Sequence, residues 1–224
     1  MPSKIIFVNG KIGGGSPPAG SAYWNHDEGS ELGFVLGAKD YFGTEEVFFT
    51  AEDYSNFSSL KSRVAAGERY AKSQFDELVK DLKKESAVLH FVTHSMGAAF
   101  GEGIAHYLNR QGYTIGTLIQ INTFQAAHLT TLHTASSYTI DYQNVDDPVL
   151  HNHFRSSPGR IKGADKTIIA PSGVYAGRSD TYGRRTFWDM LLNTKNARRI
   201  HRSPVTVQRS RFWEKMPVIR GEQP

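Results

Sequence analysis

The run Thr93-His94-Ser95-Met96-Gly97 sets a serine between residues small enough to let one sharp turn present it. It lies between an apolar stretch, Ala87 to Val92, and a segment rich in small residues that includes Ala98, Ala99 and Gly101. A buried strand that turns abruptly into a helix throws its central side chain into an exposed, strained position. The residues two before and two after must then be small to avoid clashing. Gly97 meets that demand, and Thr93 meets it less well, since glycine is the usual occupant there. The expectation is a nucleophilic serine; the plainer alternative is a serine that caps the helix. A serine hydroxyl attacks a carbonyl carbon only when a histidine takes its proton and a carboxylate orients that histidine and stabilises its cationic form. The chain offers nine histidines for that role, so position must single one out. Cysteine is absent, which excludes a thiol nucleophile, a thiolate metal site and a disulfide framework.

The elements that would hold such groups alternate between strand and helix, the pattern of a mostly parallel sheet covered on both faces. Lys4 to Asn9, Val47 to Thr50, Ala87 to Val92, Tyr113 to Ile121, Tyr138 to Gln143 and Lys166 to Ala170 read as strands. Leu60, Val64, Phe75, Leu78, Val79 and Leu82 recur at helical spacing without an internal proline, predicting one long helix over 60–82. A second helix is expected from Met96 to Tyr107, stopped near Gly112. Gly13 to Gly20, with its glycines and the Pro17-Pro18 pair, reads as a loop, as do 156–165 and 173–185.

Length and composition fit this scheme. At 224 residues the chain can bury a sizeable core, and 39% apolar with 21% charged residues is the balance of a folded globular protein rather than a disordered one. A single compact domain over 1–224 is expected. No run of about eighteen apolar residues occurs, and Ile5 to Val8 is too short for a signal-peptide core. The expected location is therefore the cytoplasm, or outside the cell without a cleaved signal.

On this strand, turn and helix the chain resembles the α/β-hydrolase superfamily, and within it the lipase class that includes the fungal triacylglycerol lipases. The likeness runs from Ile5 to His201 and rests on motifs, not on loops. It implies the α/β-hydrolase fold, with a triad in the order serine, acid, histidine, each at the C-terminal end of a strand. Asn144-Val-Asp-Asp-Pro-Val149 looks like the family's acid loop and places the acid at Asp147, although an Asx turn before Pro148 would use Asp147 or Asp146 equally well. Among the histidines after the acid, His151 and His153 stand only a few residues beyond it. His201 follows the last strand, as the family order requires, within a basic stretch where a surface histidine is the alternative. Ser95 and Asp147 are 52 residues apart, and Asp147 and His201 are 54 apart, spacings near those of the class. The resemblance also implies an oxyanion hole made by the backbone N–H of Met96 and one from the loop Asn9-Gly10-Lys11-Ile12, with Lys11 the donor and Gly10 permitting the turn.

The resulting expectation is a serine hydrolase that cleaves carboxylic esters through an acyl-enzyme and needs no cofactor. Transfer to an acceptor other than water would use the same groups. His151 and His153 lack a third ligand at a metal-binding spacing, and the glycines after Lys11 lack the lysine and Ser/Thr of a phosphate loop. Segment 12–32 is placed to act as a flap, with Tyr23 and Trp24 as its apolar face. Segment 198–224 carries seven Lys and Arg against Glu214 between Arg198 and Arg220. Most simply it is a solvated surface stretch, and it could meet an anionic membrane near the site. These two segments favour a lipid-type ester substrate, phospholipid ahead of triglyceride. The competing expectation is a catalytically silent scaffold that binds lipid through this segment or, less favoured, nucleic acid with Phe212 and Trp213.

Overall fold

The computed structural model describes residues 2–12, 19–24, 33–53, 59–144, 147, 159–170, 187–188 and 191. Six strands form one sheet: β1 (Ser3–Val8), β2 (Val47–Phe49), β3 (Val88–His94), β4 (Thr114–Ile121), β5 (Tyr138–Asn144) and β6 (Lys166–Ala170). Their order is β2-β1-β3-β4-β5-β6 and every pair is parallel. The helices are α1 (Ser21–Trp24), α2 (Phe34–Phe42), α3 (Leu60–Ser73), α4 (Phe75–Leu78) and α5 (Gly97–Arg110). The architecture is thus α/β, and each of the six expected strands is present with ends displaced by a residue or two.

Strand side chains alternate between the two faces, and the two faces carry separate cores. Ile5, Phe7, Val92, Ile119, Ile121, Ile140 and Tyr142 pack on one side with Tyr23 and Trp24 of α1, Phe34, Val35, Ala38 and Tyr41 of α2, and Phe187, Trp188 and Leu191. Ile6, Val8, Leu89, Phe91, Ile115 and Leu118 pack on the other with Ala66 and Ala71 of α3 and Phe100, Ile104, Ala105 and Leu108 of α5. Each large aliphatic or aromatic side chain so buried contributes roughly 1.5–3 kcal/mol, so the strands are held mainly by what covers them.

Two helices differ from expectation. The single helix expected over 60–82 is broken at Gln74, whose φ of −104° and ψ of 18° interrupt the ladder between α3 and α4. The break redirects the chain so that Leu78 and Val79 join Ala66 and Ala71 in one core. The sequence reading leaves α2 unassigned, although Phe34, Val35, Ala38 and Tyr41 recur at helical spacing. Gly43, left-handed at φ 68°, ends it by donating its N–H to the Lys39 carbonyl. On the opposite face α3 and α5 approach closely through two glycines. A Cβ on Gly67 would strike the Phe100 carbonyl, and one on Gly103 would strike the Val64 carbonyl.

One part of the sheet is polar where helices usually cover apolar strands. Gln120 is the register partner of Asp141, and both side chains are fully buried. The connection from β4 to β5 holds only a short 3₁₀ turn, Ala126–His128, so irregular chain covers this corner. Irregular backbone buries N–H groups that need acceptors. Glu102 of α5 accepts from Leu132 N–H at 2.8 Å and Thr131 Oγ1 at 2.6 Å, and from Gln120 Nε2. Asp141 accepts from Ile161 N–H at 3.1 Å and Gln143 Nε2 at 2.9 Å. Burial pushes both carboxyls up, Glu102 to about 7 and Asp141 to about 6, with these hydrogen bonds opposing the shift.

Candidate active site

The strand order reverses between β1 and β3, which lie side by side with Val8 paired to Thr93. In doubly wound sheets the crevice outside the carboxyl ends at such a point is where ligands bind. Ser95 stands at that point, immediately after β3, and is 2% exposed, so the turn does not leave it in the exposed position expected.

Its backbone φ is 55°, a left-handed conformation unfavourable for a residue with a Cβ. The turn is strapped on both sides. Ser95 N–H donates to the Ile121 carbonyl at 3.0 Å, and the Ser95 carbonyl accepts from Ala98 N–H at 3.3 Å and Phe124 N–H at 3.2 Å. Met96, not Ser95, is the N-cap of α5. Ser95 itself is left-handed, not in the extended conformation usual for an N-cap residue. Gly97 sits where a Cβ would strike the carbonyls of Val8 and Asn9, which explains the small residue two after the serine. Thr93, the departure from glycine two before it, is buried, and its γ-methyl fills the place a Cβ on Gly101 would take. A glycine one turn into α5 thus makes room for the threonine.

Asp147 lies beyond the end of β5 and is 1% exposed; its N–H donates to the Asn144 carbonyl at 3.1 Å. The root of that loop is tied to β4. Asn122 N–H donates to the Tyr142 carbonyl and Asn122 Oδ1 accepts from Asn144 N–H, both at 2.7 Å. Two residues on, Phe124 N–H holds the Ser95 carbonyl, so one short segment braces both the serine turn and the acid loop. Arg63 of α3 supports it from beneath: its Nη2 donates to Gln125 Oε1 at 2.5 Å and its guanidinium lies 5.6 Å from the Phe124 ring centre. Burial lowers the Arg63 pKa from its ordinary value.

At the end of β1, Asn9 is fully buried; its Nδ2 donates to the carbonyls of Gly10 and Glu52, and its Oδ1 accepts from Thr50 Oγ1. This fixes the path of the chain through buried Gly10 to exposed Lys11. Among the described residues no backbone carbonyl takes the Met96 N–H. That amide, beside the N-terminus of the fourteen-residue helix α5, is suited to developing negative charge.

The structure thus brings Ser95, Met96, Gly10 and Lys11 to adjacent strand ends, with Asp147 beyond the strand after next. Asp146, His151, His153 and His201 lie outside the described residues. So does most of the expected flap; of its two aromatic residues, Tyr23 is 2% exposed and Trp24 fully buried. They belong to the core, and Trp24 stacks on Phe34 at 5.5 Å, so neither forms an apolar outer face. Asn122, which ties the ends of β4 and β5 together, is missed by the sequence reading, because an asparagine at a strand end reads as an ordinary turn former.

No protein-family model matches the chain, and no curated protein matches it. Among the described residues there is no group of three or more His, Cys, Asp or Glu able to hold a metal ion, and no helix long and apolar enough to cross a membrane.

Proposed function

We propose that the chain is a serine hydrolase of the α/β-hydrolase type that cleaves carboxylic esters through an acyl-enzyme on Ser95. The observation that carries this reading is the left-handed, doubly strapped backbone of Ser95 at the point where the sheet order reverses. A strained residue persists only where its surroundings over-determine it, and such residues cluster at working sites. In this reading Asp147 is the carboxylate that orients the base, and His201, beyond β6, is the base. The N–H groups of Met96 and Lys11 receive the oxyanion. The acid lies two strands past the serine, where a triad in chain order requires it.

A lipid-type ester, phospholipid ahead of triglyceride, is the substrate class we favour. With Tyr23 and Trp24 in the core, that preference rests on the basic segment 198–224, whose charge suits an anionic lipid surface near His201.

Labelling with a fluorophosphonate probe tests nucleophile, base and oxyanion site together. The full chain should be labelled on Ser95 and should hydrolyse a short p-nitrophenyl ester, and Ser95→Ala should lose both. Equal labelling or equal turnover in Ser95→Ala would overturn the reading.

A further inference from the structure

We infer that Tyr23 is a positioning residue of this site, its hydroxyl holding the imidazole of His94 and the backbone of Gly10 in register with Ser95. The inference rests on the serine reading above.

Three groups from two separate parts of the chain converge on Gly10. Where a side chain on Gly10 would begin, the Tyr23 hydroxyl lies at 2.5 Å, His94 Nδ1 at 2.9 Å and Ser95 Cβ at 3.1 Å. The Tyr23 hydroxyl and His94 Nδ1 are hydrogen-bonded at 2.5 Å, and both residues are buried. The chain therefore leaves the sheet at Gly10 and comes back against the same spot at Tyr23, thirteen residues later. Its return is anchored by packing. Trp24 lies against Phe7 at 5.3 Å and Phe34 at 5.5 Å, and Tyr23 N–H donates to the carbonyl of Gly20.

Packing alone does not call for the hydroxyl, because phenylalanine would fill the same place beside Trp24. The hydroxyl adds a directional bond to the residue that immediately precedes the nucleophile. Gly10 leaves the space this bond needs, and Gly10 is also the residue through which the chain reaches the Lys11 amide. One phenol thus fixes the turn that presents Ser95 relative to the loop that presents the oxyanion donor. Preorganised donors act through such spacing, and a small misplacement lowers the rate of the chemical step more than it lowers substrate binding.

Tyr23→Phe in the full chain tests this, with rates normalised to active sites titrated by the phosphonate so that partial unfolding does not count. The expected result is a fall in kcat of roughly tenfold to a hundredfold with KM little changed. The ¹⁵N resonances of the His94 ring should shift in the same variant, and thermal stability should fall modestly, because a buried ring nitrogen loses its partner. In a His94→Asn background, Tyr23→Phe should cost little more, because the bond is already gone. Parent kcat in Tyr23→Phe, an unmoved His94 ring, or losses that simply add in the double variant would overturn the inference. Ser95→Ala measured alongside separates the two failures. If Ser95→Ala keeps parent activity, the serine reading falls; if it is silent and Tyr23→Phe is not impaired, only the role of Tyr23 falls.

Discussion

Ser95 is held at φ 55° by bonds from three directions, and in the proposed reading a histidine and an acid supply the activation its hydroxyl needs. The partners can be tested at the same scale. Members of a triad act as a unit, so on the proposed reading Asp147→Asn and His201→Ala should each lower kcat by roughly a thousandfold or more. Asp146→Asn, His151→Ala and His153→Ala should leave it near the parent value. Steady-state hydrolysis of a soluble ester by the five variants decides this. Full activity in His201→Ala with loss in His153→Ala would move the base. The pentapeptide around Ser95 is legible in sequence because each neighbour has a local steric task. Tyr23 is not, since its partner His94 is 71 residues away and only the fold brings them together.

Among the elements, α5 determines the site, for it packs against β1, β3 and α3 at once. Gly97 and Gly101 clear the sheet and Gly103 clears α3, so the helix has little freedom to shift. This explains how Thr93 is tolerated. Gly101→Ala should destabilise the fold by roughly 1–3 kcal/mol through overpacking against the Thr93 methyl. Adding Thr93→Ser, which removes that methyl, should recover a large part of the loss. Urea denaturation of the two single variants and the double variant measures the coupling; strictly additive effects would show that the two residues do not share the space. The small residues of α5 are visible in sequence, whereas the pairing of Gly101 with Thr93 is a tertiary fact.

Across the whole molecule, the buried carboxylates Glu102 and Asp141 tie stability to pH. Both are held above their ordinary values by burial, so the folded chain binds protons more tightly than the unfolded one. Their contribution is full below the unfolded values near 4, and it is lost as pH rises through about 6 for Asp141 and about 7 for Glu102. The stability of the parent relative to Glu102→Gln should therefore fall between pH 4.5 and 7.5, by on the order of 3 kcal/mol. Denaturant titrations of both proteins across that range give the difference directly. A gap that stays constant, or that widens in the parent's favour with rising pH, would show that Glu102 does not titrate there.

Local composition is enough to place the six strands and their parallel class, because buried strands and small-residue helices are written in neighbouring residues. It also determined where a serine turn could form, since Gly97 and the strand before it are neighbours in the chain. The fold alone puts Tyr23 and Trp24 in the core rather than on the apolar face of a flap, because aromatic residues among glycines carry no local mark of which side will cover them. It likewise decided that Gln74 breaks a helix whose apolar spacing runs on past it. The polar corner at Gln120 and Asp141 depends on irregular chain lying over the sheet, and the hydrogen-bonding needs of that chain arise only once it is buried. Periodicity reports which residues will be inside; the contacts made there depend on which distant segments arrive.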